Sequence, residues 1–283
     1  MIEVETMRRL TGFVVLAAVL VFSGAAWAQD AAVDLESWKK LPAVPVISDT
    51  AREIYRRGLE MGNNPHAFSK VGDCQNVTSY FLTDFDQPGQ YDLGEYAALQ
   101  NTIDYFAGSW GRESAAVNPG FNVASVLSPM WADPELCQKG ENPLACEYRL
   151  HRPSFVIISM ETWWSARPAA EYEKYLRQVA QFWIERGVVP ILGTKADNLE
   201  GDHGINAAIA RVGQELDIPV WNFWAAVQPL PNAGLSEDGF HLVYARPFFN
   251  DPALLQSSWP VRNLTALQTL DAVLRGVTEE PTG

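Results

Sequence analysis

From residue 67 onward, short uninterrupted apolar runs alternate with stretches whose apolar residues recur every three or four positions. Ser154-Phe-Val-Ile-Ile-Ser-Met160 has no polar alternation, which predicts a strand buried on both faces. Val188–Leu192 reads the same way, and Ala67–Gly72, Glu113–Asn118 and Ile218–Phe223 are the other predicted strands. Between Ala170 and Arg186, Tyr172, Leu176, Val179 and Trp183 form one stripe, with Gly187 placed to end the helix. Helices are also predicted over Leu93–Phe106, Gly204–Leu216 and Leu264–Val277, with a short one over Val123–Leu127. Thr50 and Glu53 have capping-box spacing ahead of Ile54, Leu59 and Met61, which predicts a helix there too. Strand and helix alternating through short connections define an α/β domain, a three-layer α/β/α sandwich with a mostly parallel central sheet. In such a sheet the functional site lies at the carboxyl ends of the strands. No internal repeat or domain linker interrupts the pattern.

The first residues fall outside it. Arg8 and Arg9 precede an apolar run from Leu10 to Phe22, and Ala26-Trp27-Ala28 precedes Gln29. A basic start, a short apolar core and an A-x-A site predict a secretory signal peptide over residues 1–28. The run is shorter than the roughly 20 residues a spanning helix needs, which weighs against the other reading, an uncleaved anchor. Residues 29–48 are expected to be an extended arm and 49–283 the α/β domain. Export to the periplasm or beyond, with no membrane span after cleavage, and an oxidising compartment follow as expectations.

Charge narrows the partners. The net charge is −13, and Glu3 and Glu5 offset Arg8 and Arg9, so cleavage leaves it unchanged. Such a chain is repelled by nucleic acid and by anionic membranes, which points to a neutral or cationic small molecule or a neutral polymer. The four histidines lack metal-ligand spacing and no Gly-rich phosphate loop is present, so neither a metal nor another cofactor is expected.

Of three cysteines, Cys137 and Cys146 flank the polar loop QKGENPLA, which a disulfide closes easily. The other two pairings remain open on sequence alone. With that pairing Cys74 is left over, as either a reactive thiol or an intermolecular bridge, and no C-x-x-C partner accompanies it for a redox role. Asn76-Val-Thr78 and Asn263-Leu-Thr265 match the glycosylation sequon, a pattern too short to weigh much.

Two short motifs carry the candidate chemistry. Gly72-Asp73-Cys74 sits where the first strand ends, and a helical turn starting at Cys74 would favour its thiolate. The plain alternative for a lone cysteine is a small buried hydrophobe. Asp238 precedes His241 by three residues, across Gly239, and can accept a hydrogen bond from Nδ1–H, leaving Nε2 as a base. Its plain alternative is a turn aspartate beside an exposed histidine.

Together these motifs resemble those of the SGNH or GDSL-type hydrolases, which open with Gly-Asp-Ser after the first strand and close with Asp-x-x-His. Gly72-Asp73-Cys74 matches the first with cysteine for serine, and Asp238-Gly239-Phe240-His241 matches the second in full. The resemblance covers most of the mature chain in order and spacing and implies the flavodoxin-like form of the sandwich. It implies catalytic roles for Cys74, Asp238 and His241, and an oxyanion hole from the backbone of Cys74 and of Gly120 in VNPGFN. The family's Gly-x-Asn-Asp motif is replaced by SMETWW, where Trp163 stands in the place of the oxyanion-hole asparagine. Asp73, Asn122, Glu161 and Trp163 are the possible substrate contacts, with Arg167 as an ordinary ion-pair partner for Glu161. Trp163 and Trp164 are also candidate stacking platforms for sugar, against the plain reading of packing.

Two functions follow as expectations. The first is a secreted acyl-ester hydrolase in which Cys74 attacks, His241 moves the proton and Asp238 orients it, acting on a small-molecule or carbohydrate-linked acyl substrate. The second is a catalytically impaired relative serving as a binding module for a glycan or cell-envelope component.

Overall fold

The structure is a computed structural model that describes residues 36–161, 163 and 167–279. All of them belong to the unit Leu35–Gly283. The expected signal peptide, and with it Trp164, lies outside the described residues. Within the expected arm, Ser37–Lys40 form a 3-10 turn with Trp38 buried, and the Asn222 side chain donates to Trp38 O at 3.0 Å and Leu41 O at 2.8 Å.

Helix α1 (Asp49–Glu60) begins two residues earlier than the Thr50–Glu53 spacing suggests. Its N-cap is Ser48, whose hydroxyl accepts from Ala51 N. Then come β1 (Asn64–Gly72), α2 (Gln100–Tyr105), α3 (Pro143–His151) and β2 (Pro153–Ser159). The chain continues through α4 (Ala169–Ile184), β3 (Val189–Gly193), α5 (Gly204–Leu216), β4 (Val220–Trp221), α6 (Phe223–Val227) and α7 (Ser258–Thr278). The four strands lie in the order β1-β2-β3-β4, all parallel. Helices α1 and α7 pack together over one part of the sheet, and α4 and α5 pack together against β3. This is the expected α/β/α architecture with a parallel central sheet.

Every residue of β2 is buried, as the unbroken apolar run requires. Phe155 stacks on Tyr55 of α1 and meets Phe106 edge-on, so β2 is the spine of the core. Each such fully buried large side chain contributes roughly 1.5–3 kcal/mol. Gly187 ends α4 as expected. Its φ is +67°, and a Cβ there would lie 2.3 Å from Gly58 Cα, so only glycine lets the end of α4 meet α1.

Three expectations need correction. Glu113–Asn118 is not a strand: it touches the sheet through one parallel bridge, Gly72 with Val117. Local bonds compete there, since Ser114 Oγ accepts Ala116 N and Glu147 Oε2 accepts Ala115 N. Helix α3 lies in what looked like the tail of the cysteine loop. Asn142 caps it by accepting from Ala145 N, and Pro143 occupies its first turn. Helix α7 starts at Ser258, six residues before Leu264, because burial against the core overrides the weak start signal.

Candidate active site

The loop leaving β1 organises the carboxyl edge of the sheet. Gly72 is required there, since a Cβ would sit 2.1 Å from the Asn76 side chain. That side chain is committed to β2: Nδ2 donates to Ser159 O at 2.7 Å and Oδ1 accepts from Ser159 Oγ at 2.6 Å. Asp73 is fully buried; its Oδ1 accepts from Gln75 N and its Oδ2 from Glu161 N at 2.6 Å, tying the β1 loop to the β2 loop. Of residues 73–76, Cys74 alone is part-exposed.

Cys74 is the free cysteine, and Cys137 and Cys146 are joined with a Cα–Cα distance of 5.1 Å. The bridge runs from the loop to α3 rather than across a loop. Burial pushes the Cys74 thiol up to about 12, and the neighbouring Asp73 and Glu161 charges add to the rise. The expectation that a helical turn favours the thiolate is therefore corrected. Cys74–Asn76 is three residues of 3-10 helix, too short a dipole to offset desolvation beside carboxylates.

Asp238 and His241 form the expected pair. Asp238 Oδ2 lies 2.6 Å from His241 Nδ1, while Oδ1 accepts from Ser236 Oγ at 2.7 Å and from the Phe240 and His241 N–H groups at 2.9 Å each. These bonds, the imidazole's first, hold the Asp238 carboxyl well below the usual carboxylate range. With Nδ1–H donating to Asp238, Nε2 is the nitrogen left to accept a proton. The turn is about half exposed. Gln75 Nε2 donates to Phe240 O at 3.2 Å, which brings the turn of Cys74 and the turn of His241 into contact from opposite ends of the chain. Among the described residues no hydrogen bond joins the thiol to the imidazole.

The oxyanion side departs from expectation. Gly120 N–H donates to Asn118 Oδ1 at 2.9 Å, so that donor is used within its own turn. Asn122 Oδ1 accepts from Ala124 N and Ser125 N, a side-chain turn that leads into Ser125–Leu127. Trp163 is 6% exposed and packs edge-on against Tyr172 at 5.8 Å, with Arg167 over its ring. It is core packing, not an open platform.

Glu161 is buried with Arg262, not paired with Arg167. Arg262 Nη2 lies 2.9 Å from Glu161 Oε1 but donates its aligned hydrogen bond to Ser159 Oγ, and among the described residues neither Glu161 carboxylate oxygen has a hydrogen-bond partner. Burial lifts the Glu161 carboxyl to about 8, with Arg262 opposing and Asp73 and Asp197 reinforcing. Arg262 itself is enclosed by Phe81, Trp221 and Phe223, its guanidinium carbon 4.8, 5.3 and 4.9 Å from their ring centres.

Several groups at this edge carry little mark in the sequence. Lys195, after β3, donates to Asp197 Oδ1 and Glu200 Oε2 at 2.6 Å each. The charged run TKADN directly after a buried strand is the available signal; nothing in a helical sequence marks Arg262. Lys70 lies in β1 at 2% exposure and donates to Trp110 O at 2.9 Å; burial and Arg112 push its amine down to about 7. Both sequon asparagines, Asn76 and Asn263, are buried and hydrogen-bonded, so neither can accept a glycan.

A cavity of about 540 Å³ lies against the turn just after Cys74, lined by Asn76 through Ser79, Glu113, Asn118 and Trp131 among others. Cys74 and His241 do not line it. Among the described residues, the one His/Cys/Asp/Glu group close enough to hold a metal is Cys137, Glu141 and Cys146, whose sulfurs are spent in the disulfide. No helix of the described residues is long and apolar enough to cross a membrane.

No family model and no curated protein matches the chain. Among solved structures it is similar to an acetylxylan esterase of Geobacillus stearothermophilus, in a catalytic mutant form, at 15% identity and TM-score 0.43, over 72% of this chain and 93% of that one. It is similar to an α/β hydrolase from the metagenome of Lake Arreo, at 15% identity and TM-score 0.43, over 73% and 95%. It is also similar to the lipase/acylhydrolase of Enterococcus faecalis, at 17% identity and TM-score 0.38, over 71% and 95%.

Proposed function

We propose that the chain is an SGNH-type acyl hydrolase that uses Cys74 as its nucleophile. One observation carries the reading: the Gln75–Phe240 hydrogen bond, 3.2 Å long across 165 positions, holds the Cys74 turn against the Asp238–His241 turn. A thiol raised to about 12 is neutral at rest, so it works as a serine hydroxyl would. His241 Nε2 takes the thiol proton as sulfur bonds to the ester carbonyl carbon. Asp238 fixes the tautomer and balances the imidazolium. The imidazolium then gives its proton to the departing alkoxide as the C–O bond breaks, leaving a thioester. Water, deprotonated by the same imidazole, releases the acid and restores the thiol.

The Cys74 N–H is the donor proposed for the oxyanion. With Gly120 N–H turned to Asn118, one family donor is diverted, and each lost donor costs roughly 3–4 kcal/mol of transition-state stabilisation. The reaction is therefore slow for the class. That diversion is also the specific observation favouring the second reading, a binding module on the same scaffold, while the burial of Trp163 removes one of the platforms expected for it. Export belongs to the same proposal and draws support from the Cys137–Cys146 disulfide, since such bonds persist in oxidising compartments. The N-terminus of the exported protein is expected at Gln29, read by N-terminal sequencing.

The deciding assay is p-nitrophenyl acetate turnover before and after iodoacetamide, with Cys74→Ala and Cys74→Ser alongside. The expected result is loss of turnover on alkylation and in Cys74→Ala. Turnover retained in either case removes the thiol mechanism, and no turnover by the untreated protein on a broad ester panel leaves the binding module.

A further inference from the structure

We propose that the cavity beside the Cys74 turn is a subsite for a neutral sugar ring, with Trp131 as its stacking platform. The proposal rests on the hydrolase reading only in taking that sugar as the carrier of the ester; binding itself needs no chemistry. Trp131 is 50% exposed at the cavity, meeting Phe121 edge-on with ring centres 6.4 Å apart. Leu136, 53% exposed, lines the same cavity, so the indole and this side chain give a ligand an apolar face to cover.

The polar wall supplies what the rim of a sugar needs. Among the described residues the hydroxyls of Thr78 and Ser79, the amide nitrogen of Asn118 and the carboxylate of Glu113 make no hydrogen bond to protein, and all four residues line the cavity. Four unspent polar groups and one open aromatic ring suit a ligand with an apolar C–H face and a ring of hydroxyls. Glu113 and Asp133 put two carboxylates on the wall against one amine, Lys70, which is buried and donates to Trp110 O, so the balance disfavours an anionic sugar. A quaternary ammonium is the poorer fit, because it is bound by several open aromatic faces, and Phe121 is 4% exposed.

The wall is also held rigid. Cys137 N donates to Asp133 O at 2.8 Å, Arg149 Nη2 donates to Leu136 O at 3.0 Å, and the Cys137–Cys146 bond pins the segment to α3. Such preorganisation lowers the ordering cost of binding. Location then links the subsite to the chemistry. Asn118 N donates to Gly72 O at 3.2 Å, and Thr78 lies four residues after Cys74, so a ring seated here lies beside the nucleophile's turn.

Isothermal titration with xylopentaose and chitopentaose, and with tri-galacturonate and choline as counter-probes, tests the subsite. Measurable binding of at least one neutral oligosaccharide is expected, weakened at least tenfold by Trp131→Ala and severalfold by Glu113→Gln, with both counter-probes silent. No binding of either neutral oligosaccharide, unchanged binding in Glu113→Gln and Trp131→Ala, or tighter binding of choline or tri-galacturonate overturns the proposal. Glu113→Gln is a surface change and decides the matter should Trp131→Ala fail to give the parent's melting curve. Ester turnover is read separately: sugar binding without turnover sinks the hydrolase reading alone, and turnover without sugar binding sinks the subsite alone.

Discussion

Two loops at the same sheet edge have fared differently. The Ser236–His241 turn keeps every bond an acid–base pair needs, all centred on Asp238 and all within six residues. The Asn118–Asn122 loop has the expected residues too, yet its Gly120 N–H, the backbone donor, is spent on Asn118 within its own turn, and Asn122 is held in the loop through its side-chain oxygen. The contrast teaches that a proton-transfer pair can be self-contained, whereas an oxyanion hole depends on donors being left unspent and on neighbours elsewhere. A chain can therefore carry the first intact while the second has turned inward.

His241→Ala against Asn122→Ala is the sharpest way to break that contrast. The first is expected to lower kcat/KM for p-nitrophenyl acetate about 1,000-fold. The second is expected to leave it within about threefold while costing about 1 kcal/mol of stability as the two turn bonds to Asn122 are lost, read by urea denaturation. A large kinetic effect at Asn122 would mean that loop is working chemistry after all.

The edge is next probed by its buried pair. Above about pH 8, where Glu161 ionises, Arg262→Leu strands that carboxylate among the strand ends and is expected to cost about 3–5 kcal/mol in urea denaturation. Adding Glu161→Gln is expected to recover a large part of that loss, a coupling that distant sites would not show. Gly72→Ala comes third. Its Cβ meets Asn76, which β2 holds in place, so about 1–3 kcal/mol is expected, with reduced ester turnover as the Cys74 turn shifts.

The last effect is a pH dependence. Glu161 is raised from 4.5 to about 8 in the folded chain, so the folded state keeps a proton that the unfolded state loses first. Stability therefore falls as pH rises through that interval. Lys70, lowered to about 7 from 10.5, acts oppositely at higher pH, because the unfolded state there holds the extra proton. Melting temperatures between pH 5 and 8 are expected to decline less in Glu161→Gln than in the parent.

Legibility in the sequence tracks how local each signal is. The buried run of β2 and the stripe of α4 define the sheet's spine and one layer, because period and burial are written in consecutive residues. The Asp238–His241 pair is legible for the same reason. Glu113–Asn118 reads as a strand but is not one, because Ser114 and Glu147 capture its amides, and Glu147 lies on a helix outside the expected set. That helix is announced by Asn142-Pro143, a start signal obscured by the flanking cysteines. The rise of the Cys74 thiol is not legible, since it arises from burial beside Asp73 and Glu161, brought together only when β1 pairs with β2. Arg262, the countercharge of Glu161, comes from a third element and carries no signal.

Intact-mass spectrometry after rapid mixing with p-nitrophenyl acetate probes the nucleophile itself. One acetyl group is expected on the parent protein, mapped to Cys74 by peptide digestion, absent from Cys74→Ala and accumulating far more slowly in His241→Ala. An acetyl group that persists in Cys74→Ala, or that reaches Cys74 equally fast without His241, would contradict a thiol acting through that imidazole.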